Sequence, residues 1–253
     1  MHACELVRGL AELLWPTRCA VCDEPGQLLC ERCASQLPLI DGNLACPWCG
    51  APYGWLSCTE CDPYRVAMAG PRTGSRDAPG KLGDEATSPF SFERARCAAE
   101  YRDGASRLVR VYKDGGERRL APYLARFMAQ ALDGGWVAWA DAIAYVPATP
   151  QAQRRRGFDH MALVACELGK LVRLPVLASL ARRKVLDQRQ LGREERARNA
   201  AASVQAVDLE LTGLRILLVD DVFTTGATLN AASAALLAAH AAAVRALTFA
   251  RTW

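Results

Sequence analysis

The sequence predicts an α/β fold, a parallel sheet flanked by helices, preceded by a small cysteine-rich unit. Three observations point to it. From Phe90 onward, short apolar strands alternate with helical patterns, the order that builds parallel sheets covered on both faces. One strand, Ile216–Val219, runs into Asp220-Asp221 and then into Thr224-Thr225-Gly226-Ala227-Thr228 at the head of an alanine-rich helix. Finally, eight of the eleven cysteines fall into four C-x2-C pairs ahead of residue 62.

The chain of 253 residues has room for one α/β domain and something smaller. With 51% hydrophobic and 23% charged residues it reads as a globular protein, and no apolar run approaches the roughly 20 residues of a membrane span. Leu6–Trp15 is broken by Arg8 and Glu12, so it reads as a short amphipathic helix and not as a secretory signal; a cytoplasmic protein is expected. A net charge of +4 decides nothing about partners.

The first unit is expected over residues 1–66. Its C-x2-C pairs are Cys19/Cys22, Cys30/Cys33, Cys46/Cys49 and Cys58/Cys61. Each pair can place two thiolates on one tetrahedral ion, and two pairs complete a closed Cys4 zinc site. Reducing conditions disfavour disulfides, and the turn residues Pro47, Gly50 and Pro63 do not suit a redox motif. Two consecutive zinc ribbons follow, the first from Cys19, Cys22, Cys30 and Cys33, the second from Cys46, Cys49, Cys58 and Cys61; interleaved pairing stays open. Both sites are expected to be structural, since four cysteines leave no position for water. Cys4, Cys97 and Cys166 read as ordinary thiols.

Residues 67–90, rich in Gly, Pro, Ser and Asp, read as a flexible linker. The second domain, 91–253, then runs in order. Phe92–Tyr101 reads as a strand, Ala105–Tyr112 and Glu117–Leu132 as helices, and Ala142–Val146 as a strand ending at Pro147. Met161–Val172 reads as a helix, Pro175–Leu177 as a short strand and Arg193–Asn199 as a basic helix. Ile216–Val219, Ala227–Ala242 and Val244–Arg251 close the chain as central strand, helix and last strand.

The loop after Val219 carries the chemistry. A helix N-terminus following a strand presents backbone N–H groups that hold an anion. Gly226 lacks the Cβ that would keep the backbone from closing on a phosphate, and Thr224, Thr225 and Thr228 offer hydroxyl donors. Ionised Asp220 and Asp221 only accept hydrogen bonds, so sugar hydroxyls or hydrated Mg²⁺ suit them. The acidic pair also resembles the first strand of a phospho-accepting receiver domain, but such a domain needs roughly a hundred further residues and far fewer follow Asp221. A buried strand with capping threonines would need neither paired carboxylates nor three threonines around a glycine.

Other segments carry two readings each. Val146-Pro147-Ala148-Thr149-Pro150 opens at the same sheet edge, as a pyrophosphate loop or a Pro-rich connector. Arg154, Arg155 and Arg156 bring guanidinium donors to its mouth or form a solvated face. The stretch from Arg182-Arg183-Lys184 to Asn199 reads as a mobile hood or an exposed loop, and Lys113 reads as a ligand contact or a complement to a helix end.

The acidic loop resembles the ribose-phosphate loop of type I phosphoribosyltransferases, which bind phosphoribosyl pyrophosphate (PRPP). The resemblance implies a phosphoribosyltransferase-like sheet, with Asp220 and Asp221 on the ribose 2- and 3-hydroxyls. It also implies Thr224, Thr225, Gly226, Ala227 and Thr228 around the 5-phosphate, Val146-Pro147 at pyrophosphate, and Mg²⁺ bound with PRPP. Thr224 stands where enzymes acting on 6-oxopurines carry an Asp, so a 6-oxopurine activity is not expected.

Taken together, the double ribbon, Tyr-Lys-Asp-Gly at 112–115, Val-Pro-x-x-Pro at 146–150, Arg-Arg-Gly-Phe at 155–158, Gln190-Leu191-Gly192-Arg193 with Arg196 and Asn199, and the acidic loop resemble the ComF family of competence-associated proteins. This implies that Lys113 and Arg156 contact PRPP and that Lys184, Arg193 and Arg196 contact a phosphate or DNA. It also implies single-stranded DNA and a competence helicase as partners. Asp159-His160 departs from the common Asn-Gln, and Ala148-Thr149 from a more apolar pair. The rival expectation is a non-catalytic single-stranded-DNA-binding or adaptor protein that keeps a PRPP site, with Trp48, Tyr53 and Trp55 stacking bases or packing around metal.

Overall fold

The computed structural model describes residues 16–61, 88–182, 204–207 and 210–253. The expected helices at Leu6–Trp15 and Arg193–Asn199, most of the linker, and Lys184, Arg193 and Arg196 lie outside the described residues.

Five strands form one parallel sheet: β1 (Ala95–Glu100), β2 (Ala142–Tyr145), β3 (Val176–Leu177), β6 (Arg215–Phe223) and β7 (Ala243–Arg251). Their order is β1-β7-β6-β2-β3, which puts β6 at the centre. A separate antiparallel pair, β4 (Leu180–Arg182) and β5 (Val204–Ala206), stands beside it. Leu217 and Val219 of β6 pack into one core with Leu108, Leu124, Met128, Met161 and Val164. Those residues come from α2 (Asp103–Lys113), α3 (Ala121–Gln130) and α6 (His160–Val172). Ile216 and Leu218 face the opposite core, against Leu229, Ala232 and Leu236 of α7 (Ala227–Ala238). Burial on both faces is why this strand is a continuous apolar run with no alternation.

The cysteine-held units straddle the edge strand β1. The first, in which Cys30 caps α1 (Glu31–Ser35) and Cys33 lies within it, shares a core with the α2–α3–α6 face, and the second shares a core with the α7 face. Between them, Leu39 bridges antiparallel to Ala99, Glu100 N–H donates to Pro38 at 2.8 Å and Ile40 N–H to Ala98 at 3.0 Å. This segment pairs the exposed edge of β1, whose backbone groups would otherwise template another chain. In the third knuckle Gly50 sits at φ +67°, where a Cβ would fall 2.6 Å from Cys97 Sγ of β1.

Several elements differ from the sequence reading. The central strand runs on to Phe223, so the carboxylates lie within it and not beyond its end. Helix 117–132 divides into a 3₁₀ turn, Arg118–Leu120, and α3, because Pro122 has no N–H to continue a helix but suits a first turn. The closing helix stops at Ala238, before His240 at φ +68°. Three short helices lie outside the elements that the sequence predicts: α1, α4 (Gly134–Trp139), capped by Asp133, and α5 (Pro150–Arg156), capped by Thr149 and ended by Gly157 at φ +75°. The β4–β5 pair was not foreseen either.

Leu218 is wholly buried in β6. Leu218→Ala is expected to cost about 2–5 kcal/mol. A urea midpoint equal to that of wild type would contradict the burial of this strand on both faces.

Candidate functional site

At the carboxyl end of the sheet, β2 and β6 open into a cleft of about 480 Å³. Ligands of open parallel sheets sit at such a place. Val146, Pro147, Ala148 and Thr149 form one wall, Asp220, Asp221, Thr224 and Thr228 the other, and Arg110, Lys113, Asp114, Arg156, His160 and Arg182 complete the lining.

The two carboxylates differ. Asp221 Oδ1 accepts from its neighbour Val222 N at 2.8 Å, while Oδ2 takes a close ion pair from Lys113 Nζ and lies 3.0 Å from His160 Nε2. An ionised carboxylate only accepts, so Nε2 carries the proton in this contact. Burial alone would raise Asp221, but the His160 hydrogen bond and the Lys113 charge outweigh it and hold the group well below the usual carboxylate range. Asp220 is pushed up to about 7, first by burial and then by the charge of Asp221, against the pull of Lys113. Lys113, which burial would lower, is held above its ordinary value by Asp221 and Asp220. Lys113 thus sits at the site, paired with the acidic pair.

The phosphate-side loop is shaped from beneath. Gly226 caps α7 in the left-handed conformation at φ +78°, and a Cβ there would meet Phe223 at 2.8 Å and Phe90 at 3.1 Å. The steric demand for glycine therefore comes from an aromatic floor as well as from any ligand above. Phe90 and Phe92 stack at 4.7 Å, and Phe223 meets both edge-on. Thr224 and Thr228 line the cleft, whereas the Thr225 hydroxyl accepts from Ala227 N at 3.4 Å and shapes the turn.

The opposite loop is held by a residue that the sequence reading treated only as a departure. Asp159 Oδ1 caps α6 by accepting from Met161 N and Ala162 N, and its Oδ2 accepts from Ala148 N at 3.0 Å and Gln153 Nε2 at 2.8 Å. Its place before an apolar helical run was the available signal. Arg182 Nε donates to the Pro147 carbonyl at 2.9 Å. Arg156, in the last turn of α5, pairs with Asp114 at 3.3 Å, and its buried Nε has no hydrogen-bond partner among the described residues. His160 was missed as a site residue because its partner is distant in sequence; Tyr112 Oη fixes its backbone by donating to its carbonyl at 2.5 Å.

Each Cys4 set gathers as the sequence grouped it: Cys19, Cys22, Cys30 and Cys33 in one, Cys46, Cys49, Cys58 and Cys61 in the other, with all sulfurs of a set within 4.8 Å. Sulfur separations of 3.3 Å (Cys46–Cys61), 3.5 Å (Cys49–Cys58) and 3.7 Å (Cys22–Cys30) approach the roughly 3.8 Å expected around one tetrahedral zinc. In the second set, hydrogen bonding to Cys46 pulls Cys58 down and pushes Cys61 up, as happens when crowded thiols cannot all ionise without a balancing cation. The residues fit two structural zinc sites, and interleaved pairing is overturned by the spatial grouping.

Residues 10–62 match the double zinc ribbon domain family. The chain is 22% identical over 216 residues to the competence protein ComFC of Bacillus subtilis, covering 85% of this chain and 80% of that one. The ComF resemblance drawn from the motifs is borne out by the ribbon and this alignment. Among solved structures, the glutamine PRPP amidotransferase of B. subtilis, complexed with ADP and GMP, overlaps 51% of this chain at 19% identity and a TM-score of 0.35. The chain spans about a quarter (26%) of that enzyme's length. An HPRT with an invariant aspartic acid changed to glutamic acid overlaps 53% of this chain and 66% of its own, at 14% identity and a TM-score of 0.31. No helix among the described residues is long and apolar enough to cross a membrane.

Asp220 has a folded pKa above its unfolded one, so between about pH 4 and pH 7 the native state binds more protons and stability falls as pH rises. Asp220→Asn should remove that fall and stabilise the protein at pH 7.5 by on the order of 1–3 kcal/mol. Asp221 has a depressed pKa, so its contribution is present above about pH 4 and is lost as acid protonates it; Asp221→Asn should destabilise at pH 7.5. Denaturant midpoints across this pH range check both signs. Cys46→Ser should halve the zinc content measured on the purified protein, and an unchanged content would rule out the second site.

Proposed function

We propose that this protein binds PRPP together with Mg²⁺ in the cleft. The observation that carries the reading is the joint placement of Asp220 and Asp221 in the carboxyl-terminal part of the central parallel strand, one short loop before the Gly226-capped N-terminus of α7. Two acceptors beside an anion-binding helix end match ribose hydroxyls next to a 5-phosphate. Across the cleft, the loop at Val146-Pro147-Ala148, held by Asp159 and Arg182, offers a place for pyrophosphate, and Arg156 adds a guanidinium whose buried Nε has no partner among the described residues.

In this reading Asp221 exchanges part of its bonding to Lys113 and His160 for a ribose hydroxyl, which leaves Lys113 able to turn towards phosphate. Asp220, neutral part of the time near pH 7, becomes fully ionised when hydroxyls or hydrated Mg²⁺ stabilise its charge. Where transfer occurs, an acceptor nucleophile forms a bond to ribose C1 as the bond from C1 to the pyrophosphate oxygen breaks, and Arg156 compensates the charge of the departing pyrophosphate; Mg²⁺ held beside Asp220 and Asp221 would supply further compensation there. Thr224 offers no carboxylate for purine acid/base work, so the acceptor is not a 6-oxopurine. The similarity to a competence protein favours a part in handling incoming DNA, with single-stranded DNA and a competence helicase as partners, in the cytoplasm.

A second reading is a non-catalytic single-stranded-DNA-binding or adaptor protein that keeps the PRPP site. The observation in its favour is the exposure of Tyr53 (75%) and Trp55 (61%) on the second ribbon, where aromatic faces could stack bases.

Calorimetric titration of PRPP with Mg²⁺ should show binding to wild type and a loss of roughly tenfold or more in Asp221→Ala. Equal affinity in the two proteins would sink the loop assignment. Release of pyrophosphate with any base or nucleotide acceptor favours the enzyme. Salt-dependent binding of a single-stranded oligonucleotide that Trp55→Ala weakens, with no turnover, favours the adaptor.

A further inference from the structure

We infer that Arg251 is a positioning residue that ties the phosphate-side loop to the second Cys4 centre, so that loop and metal site act as one mechanical unit. The inference rests on reading that loop as the 5-phosphate cradle. Arg251 ends β7 and is only 2% exposed. Its Nη1 donates to the Phe223 carbonyl at 3.3 Å, to the Thr224 carbonyl at 2.8 Å, and closely to the Thr252 carbonyl. The guanidinium lies 4.4 Å from the centre of the Phe223 ring, the same ring that floors Gly226. One buried cation thus grips both carbonyls that enter the turn and the aromatic beneath it.

The geometry of the peptide unit gives this grip a consequence above the loop. In a planar trans peptide the C=O and the following N–H point in opposite directions. Holding the Phe223 and Thr224 carbonyls against Arg251 therefore turns the N–H groups of Thr224 and Thr225 away from it. Those are amides that an anion at the head of α7 would use.

A buried guanidinium needs a compensating charge. The carboxylate partner of Arg251 among the described residues is Glu60, with Arg251 Nη2 3.6 Å from Glu60 Oε2. Glu60 stands between Cys58 and Cys61, inside the fourth knuckle, and a zinc bound by four thiolates carries a net negative charge. Metal at the second site would fix the knuckle, the knuckle would fix Glu60, and Glu60 would hold Arg251 against the loop. The first Cys4 site packs on the opposite face of the sheet, and no such path runs from it among the described residues.

Hydrogen exchange of the full-length protein, read on peptides covering 219–229 without ligand, tests the brace. Arg251→Gln, Glu60→Gln and Cys58→Ser should each speed exchange in 223–228 by roughly tenfold, with α6 unchanged, while Arg251→Lys restores part of the protection. Cys19→Ser, which removes the first site, should leave 223–228 at the wild-type rate. Arg251→Gln should weaken ribose 5-phosphate roughly tenfold and leave pyrophosphate binding intact, a split that general destabilisation would not give. Wild-type exchange at 223–228 in Arg251→Gln overturns the positioning role. Wild-type exchange in both Glu60→Gln and Cys58→Ser overturns the link to the metal centre. Because exchange is read without ligand, a wild-type protein that binds neither PRPP nor ribose 5-phosphate would count against the cleft reading alone.

Discussion

Two carboxylates side by side, within the carboxyl-terminal part of a strand buried on both faces, are intolerable without a cation. Burial and mutual repulsion both favour protonation, and Asp220 shows the result by rising to about 7. The pairing of Lys113 with Asp221 lets at least one of them stay ionised. This single contact links the end of α2 to the centre of the sheet and, through His160, the start of α6. Three elements converge because one charge must be balanced, and the cleft is the space they leave.

The ribbons contribute more than a preceding unit would. They lie on opposite faces of the sheet margin, and their cysteines belong to the same two cores as the helices. A small cysteine-held fold cannot bury much by itself. Sharing its apolar residues with the sheet enlarges both cores, so metal binding and sheet packing stabilise each other.

What could be read from the sequence was what is local. The C-x2-C pairs, the apolar run of β6 and the Asp220-Asp221-to-Thr228 order are short-range patterns, and the structure brings them together as written. Helix α5 left only its end signals, Thr149, Pro150 and Gly157, because it buries no residue and has no apolar stripe to betray it. The arginines were legible as a charged cluster but not as the last turn of that helix. Lys113 was ambiguous because its carboxylate lies far along the chain, and Glu60 with Arg251 were silent for the same reason. Asp159 was visible as a change in a motif, while its grip on Ala148 depends on how α5 and α6 turn back on one another.

The antiparallel seam formed by Pro38, Leu39 and Ile40 along β1 bears on how the protein can be dissected. A fragment beginning at residue 88 would keep every cleft residue named above, yet it would carry a raw strand edge and two opened cores. Such a fragment would be drawn to self-association before any ligand reached it. Deleting the ribbons is therefore a poor way to ask what they do, and single substitutions at the seam or the knuckles are the sounder route.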